Sequence, residues 1–244
     1  MKFTKISDRG GRLTNEDYLS DAHVNGMHCF VIADGLGGQS SGEIASKAAA
    51  DAIIEAFIEN PEISQDAVDS YLRCGQDAVL QKRMENPGNS DMATTAVVLI
   101  TDGSSAVWGH IGDSRLYRFN RGRIMEITDD HSLAFQEFKN GSISYGGIRT
   151  SSNQNKLIHT IGDEICFKPD ISQVTKIGPF CSFLLCTDGF WECVSEDDME
   201  RTLITSFSSK QWLSKMLKIL DRNKTPANDN FTAFAIKMQP FDFI

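Results

Sequence analysis

The chain has 244 residues, of which 23% are charged and 41% hydrophobic, enough for one substantial buried core. Its formal net charge of −9 excludes the basic face that nucleic-acid binding needs and disfavours an anionic membrane surface. An acidic excess is either a solvated surface or a set of carboxylates gathered around a cation. The first residues, MKFTKISDRGGRL, lack the apolar core of a signal peptide, and no run approaches ~18 apolar residues. The cysteines, Cys29, Cys74, Cys166, Cys181, Cys186 and Cys193, form no C-x-x-C pair and no zinc spacing with histidine. They read as reduced thiols, and a cytoplasmic protein is expected.

In chain order, MHCFVIA (27–33) is the first run with strand character. After Gly42, Ile44, Ala45, Ala48, Ala49, Ala52, Ile53, Ala56 and Phe57 recur at helical spacing. Ser64 caps a second expected helix, with Ala67, Val68, Tyr71, Leu72, Ala78 and Val79 inward, and Pro87-Gly88 stops it. ATTAVVLI (93–100), SAVWGHI (105–111) and SRLYRF (114–119) follow as strands, with TDGSSA a hairpin-type turn between the first two. A short helix runs Leu133 to Phe138. The rest of 133–156 is Gly-, Ser- and Asn-rich and reads as a mobile loop or flap of functional type. SFLLCT (182–187) is another strand, Ser209 or Lys210 to Leu220 a helix, and FTAFAIKM (231–238) the last strand. This order lacks strict β-α alternation. It predicts mainly antiparallel sheets with helices packed outside, an α+β layered architecture.

Acidic residues punctuate the apolar runs. Asp34 ends FVIAD, Asp113 follows WGHIG, Asp188 ends FLLCTD, and Asp229-Asn230 precede FTAFAI. Glu16 and Asp17 lie four and five residues after Arg12. Singly, each is an ordinary turn or cap residue. Gly35 and Gly189 follow two of them, so the recurring unit is apolar strand, Asp, Gly. Carboxylates brought together repel by several kcal/mol at ~4 Å in a protein interior. Bound cations are the ordinary remedy, and an all-oxygen donor set suits Mg²⁺ or Mn²⁺.

The segments RLTNED (12–17), ADGLGGQSSGEIAS (33–46), MATTAVVLI (92–100), GHIGDSRLYRF (109–119), ITDDHSL (127–133), NKLIHTIG (155–162), LLCTDGFWE (184–192) and NDNFTAFAI (228–236) stand in one order along nearly the whole chain. Together they resemble the metal-dependent Ser/Thr protein phosphatases of the PPM, or type 2C, family in its bacterial form. The resemblance implies a single catalytic domain over 1–244. Its fold would be a four-layer α-β-β-α sandwich, two mainly antiparallel sheets flanked by helix pairs, with a flap at about 133–156 beside the site. By the same resemblance, Asp34 bridges two Mn²⁺ or Mg²⁺ ions, Gly35 adds a carbonyl ligand, and Asp188 and Asp229 complete the direct ligands. Glu16 and Asp17 match acids that hold metal-bound waters, and Arg12 the arginine that grips the substrate phosphate. Asp113 matches the residue that binds a third metal in many members, and Asn230 and Gly189 are neighbours of the site. The implied substrates are phosphoproteins of a Ser/Thr kinase, acted on by a monomer with no membrane insertion and no nucleic acid.

The chain departs from the family at named places. Leu36 stands where eukaryotic members often carry a histidine, proposed as general acid. His159 replaces a frequent arginine, and Ser-Tyr-Gly-Gly replaces an acidic run in the flap. His131 in DDHS reads as an acid or as a turn histidine, His110 as a strand residue, and Arg115 as the partner of a carboxylate. Two other functions fit the pattern: a non-catalytic pseudophosphatase that binds a phosphoprotein, and a phosphatase of non-protein phosphoesters. Retention of Asp34, Asp188 and Asp229 weighs against the first, and comparing a phosphopeptide with small phosphoesters tests the second.

Overall fold

A computed structural model describes residues 1–37, 41–86, 88 and 91–238. The strands are β1 (Lys2–Asp8), β2 (Asp17–Val24), β3 (Met27–Leu36), β4 (Ala93–Thr94), β5 (Ala96–Thr101), β6 (Ser105–Ile111), β7 (Arg115–Asn120), β8 (Arg123–Ile127), β9 (Asp170–Ile171), β10 (Thr175–Lys176), β11 (Cys181–Cys186) and β12 (Phe231–Lys237). The helices are α1 (Ser41–Glu59), α2 (Gln65–Glu85), α3 (Leu133–Lys139), α4 (Asp188–Trp191), α5 (Glu196–Ile204) and α6 (Ser209–Asn223), with a 3₁₀ helix at Tyr145–Thr150. One sheet runs β1-β12-β11-β7-β8; the other runs β10-β6-β5-β3-β2, with β4 on β3 and β9 on β6. The strand pairs are antiparallel throughout.

Strand alternation makes three apolar layers. Cys29, Val31, Ala33, Ala96, Val98 and Ile100 face α1 and α2. Phe30, Ile32, Val97, Leu99, Phe183, Leu185, Phe234 and Ile236 meet between the sheets. Leu184, Cys186, Ala233 and Ala235 face α4, α5 and α6. Both faces of the central strands are therefore covered, which is why they read as unbroken apolar runs. The result is the four-layer α-β-β-α sandwich expected from the sequence.

Several local expectations need correction. β3 does not end on Asp34; it continues through Gly35 and Leu36, which pair with Thr94 and Ala93. The run 93–100 is two strands broken at Thr95, whose N–H donates to the Asp34 carbonyl and whose hydroxyl accepts from the Asp34 N–H. Ser64 caps α2 as expected, accepting from the Ala67 N–H, and α2 ends at Glu85. Pro87, the expected stop, and Gly38 lie outside the described residues. The segment 133–156 is built rather than irregular. Its 3₁₀ helix is capped by Ser144 and buries Ile148, and Glu137 accepts from Ser151 and Asn153. The cysteines are free thiols. Among the described residues, no helix is long and apolar enough to cross a membrane.

Candidate active site

The adjoining ends of the two sheets carry the acidic residues. Asp34 lies near the end of β3, Asp113 in the turn from β6 to β7, Asp188 at the start of α4, and Asp229 just before β12. A pocket of about 210 Å³ is lined by Arg12, Glu16, Asp34, Gly35, Asp113, Asp188, Asp229 and Asn230, together with Leu36, Gly37, Asn155 and Leu157. Eight of the ten expected site residues thus line one pocket. The other two stand behind it. Asp17 is 5% exposed, and its Oδ2 accepts from the Thr187 hydroxyl at 2.9 Å. Gly189 packs beneath Asn230: a Cβ there would lie 2.1 Å from the Asn230 carbonyl oxygen.

Local geometry explains each placement. Gly35 crosses Gly42 at the start of α1, where a Cβ would come within 2.1 Å of the Gly42 carbonyl oxygen. Close backbone approach therefore demands glycine there, apart from any ligand role. Asn230 clamps the loop that carries Arg12: its Nδ2 donates to the Arg9 and Thr14 carbonyls, both at 2.9 Å, and its Oδ1 accepts from the Glu16 N–H at 2.8 Å. Arg12 Nη2 donates to Asp229 Oδ2 at 2.5 Å, so its guanidinium is aimed at the pocket.

The carboxylates crowd one another. Burial pushes Asp34 well above the ordinary carboxylate value, and Asp17, Asp188, Asp113 and Asp229 push it further. Asp113 is raised by burial and by Asp188 and Asp130. Burial and Asp229 bring Asp188 up to about 6, against lowering hydrogen bonds from the Gly189 N–H and Asp34. Asp17 rises to about 8 for the same first cause. Asp17 Oδ1 and Asp188 Oδ1 are buried without a hydrogen-bond partner. Unsatisfied buried carboxylate oxygens cost about 1–3 kcal/mol each or more, a cost that a cation removes.

The sequence reading missed Glu192, raised to about 7 by burial and by Asp188 and Asp229. It also missed Asn155 and Leu157. Glu192 stands at the end of the quoted TDGFWE segment, so its position was visible and its neighbours were not.

The histidines lie elsewhere. The ligand atoms of His110, His131 and Asp170 lie within 4.8 Å of one another, and none of the three lines the pocket. His110 Nε2 donates to the Asp129 carbonyl at 2.8 Å. His131 Nδ1 accepts from the Gly112 N–H at 3.3 Å, which leaves its proton on Nε2, 3.3 Å from Asp170 Oδ2. A metal at that nitrogen would displace this proton and break the Gly112 bond, so the trio reads as a His131–Asp170 pair with the His110 ring packed beside it. His131 is thus a turn histidine, and His110 is the strand residue expected. Arg115 pairs with Asp130, as expected of it.

The sequence matches the family described as protein phosphatase 2C over residues 7–234. The chain belongs to the protein phosphatase 2C family. Serine/threonine phosphatase stp of Listeria monocytogenes is 28% identical over 241 residues, covering 94% of this chain and 89% of that protein. Protein phosphatase PhpP of Streptococcus pneumoniae is 27% identical over 213 residues, covering 84% and 85%. The crystal structure of serine/threonine phosphatase Stp1 from Staphylococcus aureus superposes with a TM-score of 0.86 at 25% identity, over 98% of this chain and 95% of that one. The carboxylate pocket lies within the stretch that matches the protein phosphatase 2C family.

Proposed function

We propose that this chain hydrolyses phosphoserine and phosphothreonine in proteins, reversing Ser/Thr kinase action, with water as the nucleophile and divalent cations in the pocket. Asp34, Asp188, Asp229 and the Gly35 carbonyl would hold two Mn²⁺ or Mg²⁺ ions, and Asp113 would help hold a third. The donors fit such ions, being hard oxygens throughout. The orphaned Asp188 Oδ1 is the observation that carries the reading, because an unpartnered buried carboxylate oxygen on a residue that lines a pocket with Asp34, Asp113 and Asp229 needs a cation. When bound, the cations acidify water to near-neutral pKa and neutralise the acids.

The chain's own residues do the rest. Arg12, on an exposed loop pinned by Asn230, presents a planar fork to two phosphate oxygens, a geometry that lysine lacks. Glu16, at the pocket edge, and Asp17, behind it, would accept hydrogen bonds from water on the cations. Leu36 lines the pocket and gives no proton, so the leaving alkoxide must take its proton from elsewhere, such as metal-bound water. No side-chain nucleophile is needed, which leaves the cysteines without a catalytic role. Residues 1–244 would act as one monomeric, cytoplasmic catalytic unit, with 133–156 as the flap that meets the phosphoprotein.

The experiment is phosphate release from phosphoserine, phosphothreonine and phosphotyrosine peptides and from small phosphoesters, with EDTA or with Mn²⁺. Release from the first two peptides that needs Mn²⁺ is expected. Release that survives thorough EDTA treatment contradicts the reading, and preference for small phosphoesters contradicts the substrate class.

A further inference from the structure

A buried polar network adjoins the pocket, and the proposed reaction makes no use of it. Arg115 on β7 and Asp130 are each 1% exposed, and two 2.7 Å hydrogen bonds join them. The Arg115 guanidinium lies 3.6 Å from the centre of the Trp191 ring. Arg149, in the 3₁₀ helix of the 133–156 segment, reaches the same tryptophan: its Nε donates to the Trp191 carbonyl at 3.1 Å. Arg149 Nη2 pairs with Glu196 Oε2 at 2.8 Å. The Tyr117 and Tyr145 hydroxyls donate to Glu196 Oε1 at 3.2 and 3.3 Å. Two guanidiniums thus face two carboxylates, and the network closes neutral. Burial alone would raise the Glu196 carboxyl, but the hydrogen bond and charge of Arg149 hold it below its ordinary value.

Trp191 joins this network to the pocket. It lies three residues after Asp188, at the end of α4, and its indole N–H donates to the Asp113 carbonyl at 3.0 Å. Asp113 follows Gly112, whose φ of +101° admits little but glycine. A Cβ on Gly112 would also lie 2.5 Å from a Thr95 methyl. The main chain that carries the Asp113 carboxylate is therefore held by a side chain of α4. The main chain of Trp191, which carries that side chain, is in turn held at its carbonyl by Arg149.

We propose that Arg149, anchored by Glu196 and bonded to the Trp191 carbonyl, is a positioning residue for Asp113 and makes cation binding at Asp113 depend on the seating of residues 145–150. The inference rests on the reading of Asp113 as a carboxylate that helps hold a third cation. It assigns the flap a second task besides meeting substrate, because lifting the 3₁₀ helix withdraws Arg149 from Trp191. A simple structural ion pair would contribute stability without this directional link to the pocket.

The test is Mn²⁺ binding to the full chain, followed by the paramagnetic resonance signal of free Mn²⁺. The proteins are wild type, Arg149→Ala, Asp113→Ala and the double variant. Arg149→Ala should weaken the Asp113-dependent Mn²⁺ site about tenfold, as loss of a supporting partner of a ligand commonly does. Arg149→Lys should restore only part, since lysine cannot bond the carbonyl and the carboxylate through one planar fork. In the Asp113→Ala background, Arg149→Ala should change Mn²⁺ binding no further. Trp191→Phe, which keeps a ring and deletes the N–H donor, should reproduce the pattern and guards against a folding defect in Arg149→Ala. Unchanged Mn²⁺ binding in Arg149→Ala and Trp191→Phe, or equal losses with and without Asp113, overturns the positioning role alone. Mn²⁺ binding unaffected by Asp113→Ala overturns the third-cation reading along with it, while phosphate release by the wild type stands as a separate result.

Discussion

Asp17 and Asp34 stand directly opposite one another across the antiparallel pair of β2 and β3. Like charges in that position destabilise a sheet, and here Asp17 is buried while Asp34 is half-buried at the pocket. Without a cation the crowding disfavours the charged forms: Asp17 is raised to about 8, chiefly by burial, and Asp34 is raised well above its ordinary value, chiefly by burial and by Asp17.

Metal-free protein should therefore lose stability as pH rises. Above ~4 the unfolded chain has released the protons of its Asp residues, while the folded chain keeps those of Asp17 and, until about 6, of Asp188. The folded state binds more protons across this window, so their stabilising effect is present below the unfolded value and is lost as pH climbs through about 6 and about 8. Urea midpoints in EDTA should be lower at about pH 8 than at about pH 5.5. Mn²⁺ should flatten or reverse the trend, since it binds the deprotonated acids. A metal-free midpoint that rises over this range would contradict the crowding.

Much of this site was legible in the sequence, and the failures follow a physical pattern. The central strands β3, β5, β11 and β12 are apolar on both faces and stood out as runs. The strands the sequence did not reveal are edges or short additions: β1, β2, β8 and β10 end the sheets, and β9 attaches to β6. Edge strands carry polar and charged residues against solvent, as in Lys2–Asp8 and Arg123–Ile127, and so lose the apolar signature. α5 opens with Glu196, Asp197 and Asp198, which hid its inner face of Met199, Thr202 and Leu203. The pocket acids were readable because they interrupt apolar runs. Asp17's burial was not readable, because it depends on Thr187, distant in sequence.

Asp188→Asn and Asp229→Asn should each lower kcat by about a hundredfold or more while leaving the fold intact, because each removes a charge that faces the cations. Circular dichroism and steady-state phosphopeptide kinetics check this together. A folded variant with near-normal kcat would remove that residue from the ligand set.

Arg12 should separate turnover from metal binding. It bonds Asp229 at 2.5 Å, so Arg12→Ala frees a carboxylate and deletes a nearby positive charge. Mn²⁺ should bind the variant no more weakly than wild type. Its kcat/KM for a phosphopeptide should fall, at roughly 1.5–3 kcal/mol for each charged hydrogen bond to phosphate. Unchanged kinetics would take Arg12 out of substrate binding.

Arg115→Met should destabilise the metal-free protein by about 3–5 kcal/mol, because it strands Asp130 without its cation in a site 1% exposed. Urea unfolding measures this directly. A loss below ~1 kcal/mol would mean that Asp130 is readily neutralised or hydrated.

The central claim is that Asp34 lies where it does to bind cations, and four melting curves test it: wild type and Asp34→Asn, each in EDTA and in Mn²⁺. Cations at about a hundredfold excess over Kd add about 2.7 kcal/mol, which for a domain of this size is about 5–10 °C in Tm. Wild type should show that shift. In EDTA, Asp34→Asn should melt at or above the wild-type temperature, because it relieves repulsion from Asp17, Asp188, Asp113 and Asp229. In Mn²⁺ it should gain little. Equal Mn²⁺-induced shifts in the two proteins would contradict the account and return Asp34 to the status of a structural strand residue.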